Sequence, residues 1–140
     1  MGYGESTDPE VERIGQIIVD SAFRVHRKLG PGLLESVYSI CLAHELRKRG
    51  LKVEREVKLP IVYDDIRLES ALRLDLVVES IIIVETKAVE KLIPLFESQL
   101  FTYLKLTGLE LGFLVNFNVP LIKDGIKRVF RSSNDSSRAE

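Results

Sequence analysis

The chain has no tryptophan, one cysteine, one methionine and two histidines in 140 residues, and each scarcity closes a route. One thiol excludes a disulfide within the chain. Cys41, His26 and His44 together fall short of the four sulfur and imidazole ligands of a structural zinc site, so a metal held here must rely on oxygen. Cys41 lies on the apolar stripe of a helical pattern, where a thiol reads as a small buried hydrophobe. Long apolar runs are missing too. The uncharged stretch Ile81 to Val84 is typical in length, and no basic segment followed by an apolar one opens the sequence. Neither a membrane span nor a signal segment is expected, and the expected location is cytoplasmic. The net charge of -1 excludes a uniformly basic coat. The charge is uneven, however, with nine Lys/Arg against four Glu between Arg24 and Lys58. That segment reads equally as a phosphate-facing surface or as a solvated helix face.

The length suits one domain with one core. We expect it over 7–131, between disordered ends at 1–6 and 132–140. Thr7-Asp8-Pro9-Glu10 is a helix start, with a capping side chain and a proline fit for the first turn. Val11, Ile14, Ile17, Ile18, Val25 and Leu29 then recur at three and four, and Gly30-Pro31-Gly32 ends the helix. A second helix is expected from about Leu33 to Arg49, stopped by Gly50. The period next switches to two, with Val53, Val57, Leu59 and Ile61 forming the dry face of a strand. Asp64-Asp65 turns the chain, and Leu72, Leu74, Leu76 and Val78 share one parity, with Asp75 facing away from them. Ile81 to Val84 reads as a central strand covered on both faces. Pro94 opens a third helix that closes near Gly108. Leu111 to Phe117 and Ile126 to Phe130 supply two more strands. The expected class is α/β, a mixed sheet of about four to five strands flanked by helices, with an αβββαβ core.

The chemistry is concentrated where the central strand ends. Glu85 and Lys87 are two apart, so a carboxylate and an ammonium project to one face at the edge of the core, where desolvating either is costly. Asp75 precedes Glu85 by ten residues. If the hairpin between them closes through an odd loop such as Glu79-Ser80-Ile81, Asp75 falls opposite Glu85; a two-residue loop would oppose it to Val84 and separate the carboxylates. Two facing carboxylates repel unless a cation sits between them, and magnesium or manganese is the natural occupant for oxygen ligands. Lys87 beside such an ion would orient an attacking water and stabilise phosphate charge. Spacing alone equally allows an ordinary cross-face ion pair with Asp75 as a plain strand residue.

Arg73-Leu74-Asp75 followed by Ile83-Val84-Glu85-Thr86-Lys87 resembles the aspartate and the E-x-K strand of the PD-(D/E)XK nuclease superfamily. Within it the chain resembles the GxxExxY family, whose motif stands as Gly32-Leu33-Leu34-Glu35-Ser36-Val37-Tyr38. Gly30-Pro31 precedes that motif, and Ser98-Gln99-Leu100-Phe101-Thr102-Tyr103-Leu104-Lys105 and Asn116-Phe117-Asn118-Val119-Pro120 follow downstream. The resemblance spans roughly Ile14 to Phe130. It implies a restriction-endonuclease-like fold and a magnesium site built from Glu35, Asp75 and Glu85, with Lys87 as catalytic partner. Gln99 resembles a helix glutamine placed near the metal or the scissile phosphate. Tyr38 shares a helix face with Glu35, and Tyr103 with Gln99, so both tyrosines are candidates for substrate binding, packing being the stronger reading for Tyr38. The family's proline before the aspartate is absent, since Leu74 stands there.

These residues support a metal-dependent nuclease acting on DNA, with a homodimer as a plausible assembly for cutting two strands. The alternative is a non-catalytic module that keeps the fold and grips nucleic acid or a partner protein.

Overall fold

A computed structural model describes residues 8–132. The expected disordered ends, and Thr7 as a cap, fall outside these residues apart from the last residue, Ser132. Helix α1 (Pro9–Leu29) is capped by Asp8, whose carboxylate accepts a hydrogen bond from the Glu10 N–H at 2.9 Å. Helix α2 (Glu35–Lys48) follows the Gly30-Pro31-Gly32 break, and Gly50 at φ +89° ends that segment. Strands β1 (Val53–Tyr63), β2 (Ile66–Val78) and β3 (Ile82–Lys87) form a meander. Helix α3 (Pro94–Thr107) crosses over to β4 (Leu111–Asn116), and a short 3-10 turn, Ile122–Gly125, leads into β5 (Ile126–Phe130). The sheet order is β1-β2-β3-β4-β5, with β3 and β4 parallel and the other pairs antiparallel. A helical crossover is what a parallel pair requires.

Two apolar clusters sandwich the sheet. On one face Ile14, Ile18, Tyr38, Leu42 and Leu46 of α1 and α2 pack on Leu76, Val78, Val84, Phe113 and Val115. On the other, Leu100, Phe101 and Leu104 of α3 pack on Leu72, Leu74, Ile83 and Leu114. This corrects the expectation that Leu72, Leu74, Leu76 and Val78 share one face. Leu74 belongs to the α3 side and Leu76 to the α1/α2 side, so the alternation of β2 inverts at Asp75. Strand β1 inverts beside it, because Val53 packs on the α1/α2 side and Val57 on the α3 side. The register is unchanged across the inversion, with Arg55 opposite Leu76 and Val57 opposite Leu74. Glu56, between them, takes up the change with φ +52°, a left-handed conformation that a side-chain-bearing residue rarely adopts within a strand. Cys41 is half-buried: it packs against the core and also reaches the groove between α1 and α2.

Candidate active site

The β2–β3 hairpin settles the question left open by the sequence. Its ladder pairs Val78 with Ile82 and Leu76 with Val84, leaving the odd loop Glu79-Ser80-Ile81. Glu79 and Ser80 both lie at positive φ, 54° and 59°, and the Ile81 N–H donates to the Val78 carbonyl, the geometry of a primed hairpin turn. Continued by one step, this register sets Asp75 across from Glu85.

The ladder stops at Leu76 and Val84, and beyond it the two carboxylates take over the pairing. The Asp75 N–H donates to Glu85 Oε2 at 3.0 Å. The Thr86 N–H donates to Asp75 Oδ2 at 3.0 Å, and the Thr86 hydroxyl donates to the same oxygen at 3.3 Å. Each acid therefore satisfies backbone of the opposite strand at the point where the strands part. Both are buried, Asp75 at 7% exposure and Glu85 at 5%.

Burial, then the charge of Asp75, pushes the Glu85 carboxyl up to about 8. Glu35, at the first residue of α2, is also raised, by burial and then by Asp75, while Lys87 and Arg73 pull it down. Burial raises the Tyr103 phenol, and the charges of Glu85 and Asp75 add to that. These influences bring Glu35, Asp75, Glu85, Lys87, Arg73 and Tyr103 into one electrostatic neighbourhood. The Lys87 ammonium lies 4.3 Å from the centre of the Phe96 ring, a cation–π contact that fixes it beside α3.

Two expected residues make no described hydrogen bond to these carboxylates. Tyr38 is fully buried and stacks on Phe117 at 4.6 Å between ring centres. Its hydroxyl donates to the Gly30 carbonyl at 2.6 Å and accepts from the Leu33 N–H at 3.1 Å. The tyrosine of the GLLESVY segment thus ties down the loop that delivers Glu35, which is the packing role. Gln99 is exposed on α3, one turn before Tyr103, and makes no described hydrogen bond to the carboxylates.

Sequence reasoning passed over four neighbours. Arg73 lies 3.5 Å from Asp75 Oδ1, and Thr86 supports the same carboxylate. Arg55 lines the adjoining cavity. Asn116, at 1% exposure, accepts from the Val89 N–H and donates to the Val89 carbonyl, both at 3.0 Å, fixing the chain just beyond Lys87. The signal for Asn116 was a polar residue closing a buried strand inside a quoted motif.

The donor set fits a hard divalent cation. Its ligating atoms are carboxylate oxygens, and burial and then the charge of Asp75 raise the Glu85 carboxyl although Lys87 and Arg73 pull it down, so a further cation between the acids would be favoured. Among the described residues no three acidic, histidine or cysteine side chains already converge as a ligand group. Glu35 is the exposed member, whereas Asp75 and Glu85 are buried.

A mixed five-stranded sheet between helical layers, with facing carboxylates and a lysine where its central strands part, defines a restriction-endonuclease-like domain. A family model described as the PD-(D/E)XK nuclease superfamily matches residues 12–129, and the chain belongs to that superfamily. No match was found among curated proteins or among solved structures. Membership points to nuclease chemistry on nucleic acid. No helix among the described residues is long and apolar enough to cross a membrane.

Proposed function

We propose that this chain is a magnesium- or manganese-dependent deoxyribonuclease of the GxxExxY type, working in the cytoplasm and as a homodimer when it cuts both strands of a duplex. The observation that carries the reading is the placement of Asp75 opposite Glu85 where β2 and β3 separate, with Lys87 two residues further on the same strand. Asp75, Glu85 and Glu35 would hold the ion. When bound, it supplies Lewis-acid polarisation of the phosphate and a lower pKa for a coordinated water.

The chain's own groups do the rest. Lys87, held over Phe96, orients the attacking water and sets positive charge against the phosphate as charge builds on it. Thr86 and the backbone of Asp75 fix the two carboxylates, so that little reorganisation remains at the moment of reaction. Tyr103 and Gln99, on one face of α3, contact the substrate strand on the Glu85 side. Glu35 enters from the α2 side as the third carboxylate.

The test is cleavage of labelled single-stranded DNA, duplex DNA and RNA with magnesium, manganese or chelator. Cutting of DNA only with an ion present is the expected result. Absence of cutting with every divalent ion would leave the alternative, a binding module that keeps the nuclease fold.

A further inference from the structure

A cavity of about 220 Å³ opens on the α2 side of the carboxylates, lined by Glu35, Asp75, Arg55, Glu56 and Arg73 among others. It is smaller than the roughly 300–1,000 Å³ of ordinary small-molecule pockets and suits a phosphate group better than a metabolite. The two guanidinium groups in it make only loose pairs with protein groups. Arg55 reaches Ser39 Oγ at 3.4 Å and Glu56 Oε2 at 3.7 Å. Arg73 reaches the same Glu56 oxygen at 3.4 Å and Asp75 Oδ1 at 3.5 Å. All four distances exceed the roughly 2.7–2.9 Å of a good charge-assisted hydrogen bond. One carboxylate oxygen therefore bridges both arginines loosely. Its side chain is 57% exposed, where such pairs contribute little.

We propose that Arg55 and Arg73 form a clamp for a backbone phosphate of the nucleic-acid strand, next to the phosphodiester that is cut, and that Glu56 fills the clamp until substrate displaces it. The inference rests on the nuclease reading for its neighbour but not for its chemistry. Two guanidinium forks converging on one oxyanion match phosphate geometry in a way that lysines would not. Once a cation neutralises Asp75 and Glu35, the arginines carry unbalanced positive charge that a phosphodiester balances. Glu56 has a left-handed backbone and its carboxylate lies between the arginines, and the contact between Arg73 and Asp75 sets the clamp beside the proposed reacting centre.

The experiment measures binding of a labelled DNA duplex, and of the matching single strand, across salt concentrations in magnesium. Lys87→Ala protein is used so that binding is read without cutting. Arg55→Ala and Arg73→Ala should each weaken binding about tenfold and lower the slope of log affinity against log salt by about one. Arg73→Lys should restore the slope without the full affinity. Glu56→Gln, on an exposed side chain, should tighten binding several-fold. Affinities and slopes equal to the parent in both arginine-to-alanine variants, or no DNA binding by the parent, would overturn the clamp. Wild-type cleavage is scored separately. Arginine-dependent binding without cutting keeps the clamp and removes the nuclease reading, whereas cutting with arginine-independent binding does the reverse.

Discussion

Glu85 sits at 5% exposure with Asp75 across the strand gap, and its carboxyl is pushed up to about 8 by burial and then by that charge. Without a cation, the folded chain holds a proton there that the unfolded chain releases near the ordinary carboxylate value of 4.5. Protons bound by the folded state alone make stability fall as pH rises. Metal-free protein should therefore lose stability from about pH 4.5 to about pH 8 and level off above, by thermal or urea unfolding. In Glu85→Gln that part of the decline should vanish. Metal must compete with the same proton, so affinity should rise by up to about tenfold per pH unit below about 8. An affinity flat over that range would contradict the assignment of Glu85 as a ligand. Lys87→Ala should lower cleavage by about 100-fold or more while metal uptake, read by calorimetry, persists. In the sequence Glu85 and Lys87 stand out because charge at the end of an apolar strand is conspicuous, and Asp75 by its spacing of ten residues before Glu85 and the family resemblance. Arg55, Arg73 and Thr86 lack that contrast, since arginine and threonine are ordinary residues of a half-exposed strand.

Helix α2 shows how an element delivers a side chain it does not itself anchor. It has no side-chain cap, and the Tyr38 hydroxyl instead fastens Gly30 and Leu33 from inside the core. Tyr38→Phe should cost about 1 kcal/mol of stability and leave the KM for DNA unchanged, as read by urea unfolding and steady-state kinetics. A several-fold rise in KM with stability intact would return Tyr38 to the substrate. The exit of β3 depends on a close approach at the far edge. A Cβ on Gly125 would lie 2.1 Å from the Asn116 carbonyl oxygen. Gly125→Ala should therefore destabilise by about 1–3 kcal/mol and also reduce cleavage, because Asn116 holds Val89 just past Lys87. Full activity in that variant would show that Asn116 does not position the strand end. Period and punctuation marked every helix and strand in order, down to the glycine stops at 30, 50 and 108. The inversion at Glu56 and Asp75 was hidden, because period-two reasoning assumes an unbroken pleat and nothing in Arg55-Glu56-Val57 announces a left-handed residue. The register shift near Pro60, with Ser70 at φ +54° on the facing strand, escaped for the same reason.

At the scale of the molecule, α1 and α2 cover one face of the sheet and α3 the other, so the carboxylates lie in the seam between two cores rather than on either. Approach from the α2 side meets Glu35 and the arginines; approach from the α3 side meets Tyr103 and Lys87. Under the proposed function that arrangement would give a substrate strand a path across the end of β3, with the proposed cation site midway. The basic surplus between Arg24 and Lys58 supplies Arg55 to this path. Its Arg24, Lys28 and Lys48 instead surround the α1–α2 groove, so the surplus does not form one phosphate-facing surface. Whole-chain charge could not separate the two destinations, because they interleave along the sequence.

The most direct test of the central claim is a calorimetric titration of manganese and magnesium into wild type and Glu85→Ala, with both proteins assayed on labelled single-stranded and duplex DNA in the same buffers. The account predicts that wild type binds the ion and cuts DNA, and that the variant loses both together. Metal uptake and cutting that survive in Glu85→Ala, or no uptake by wild type, would contradict it.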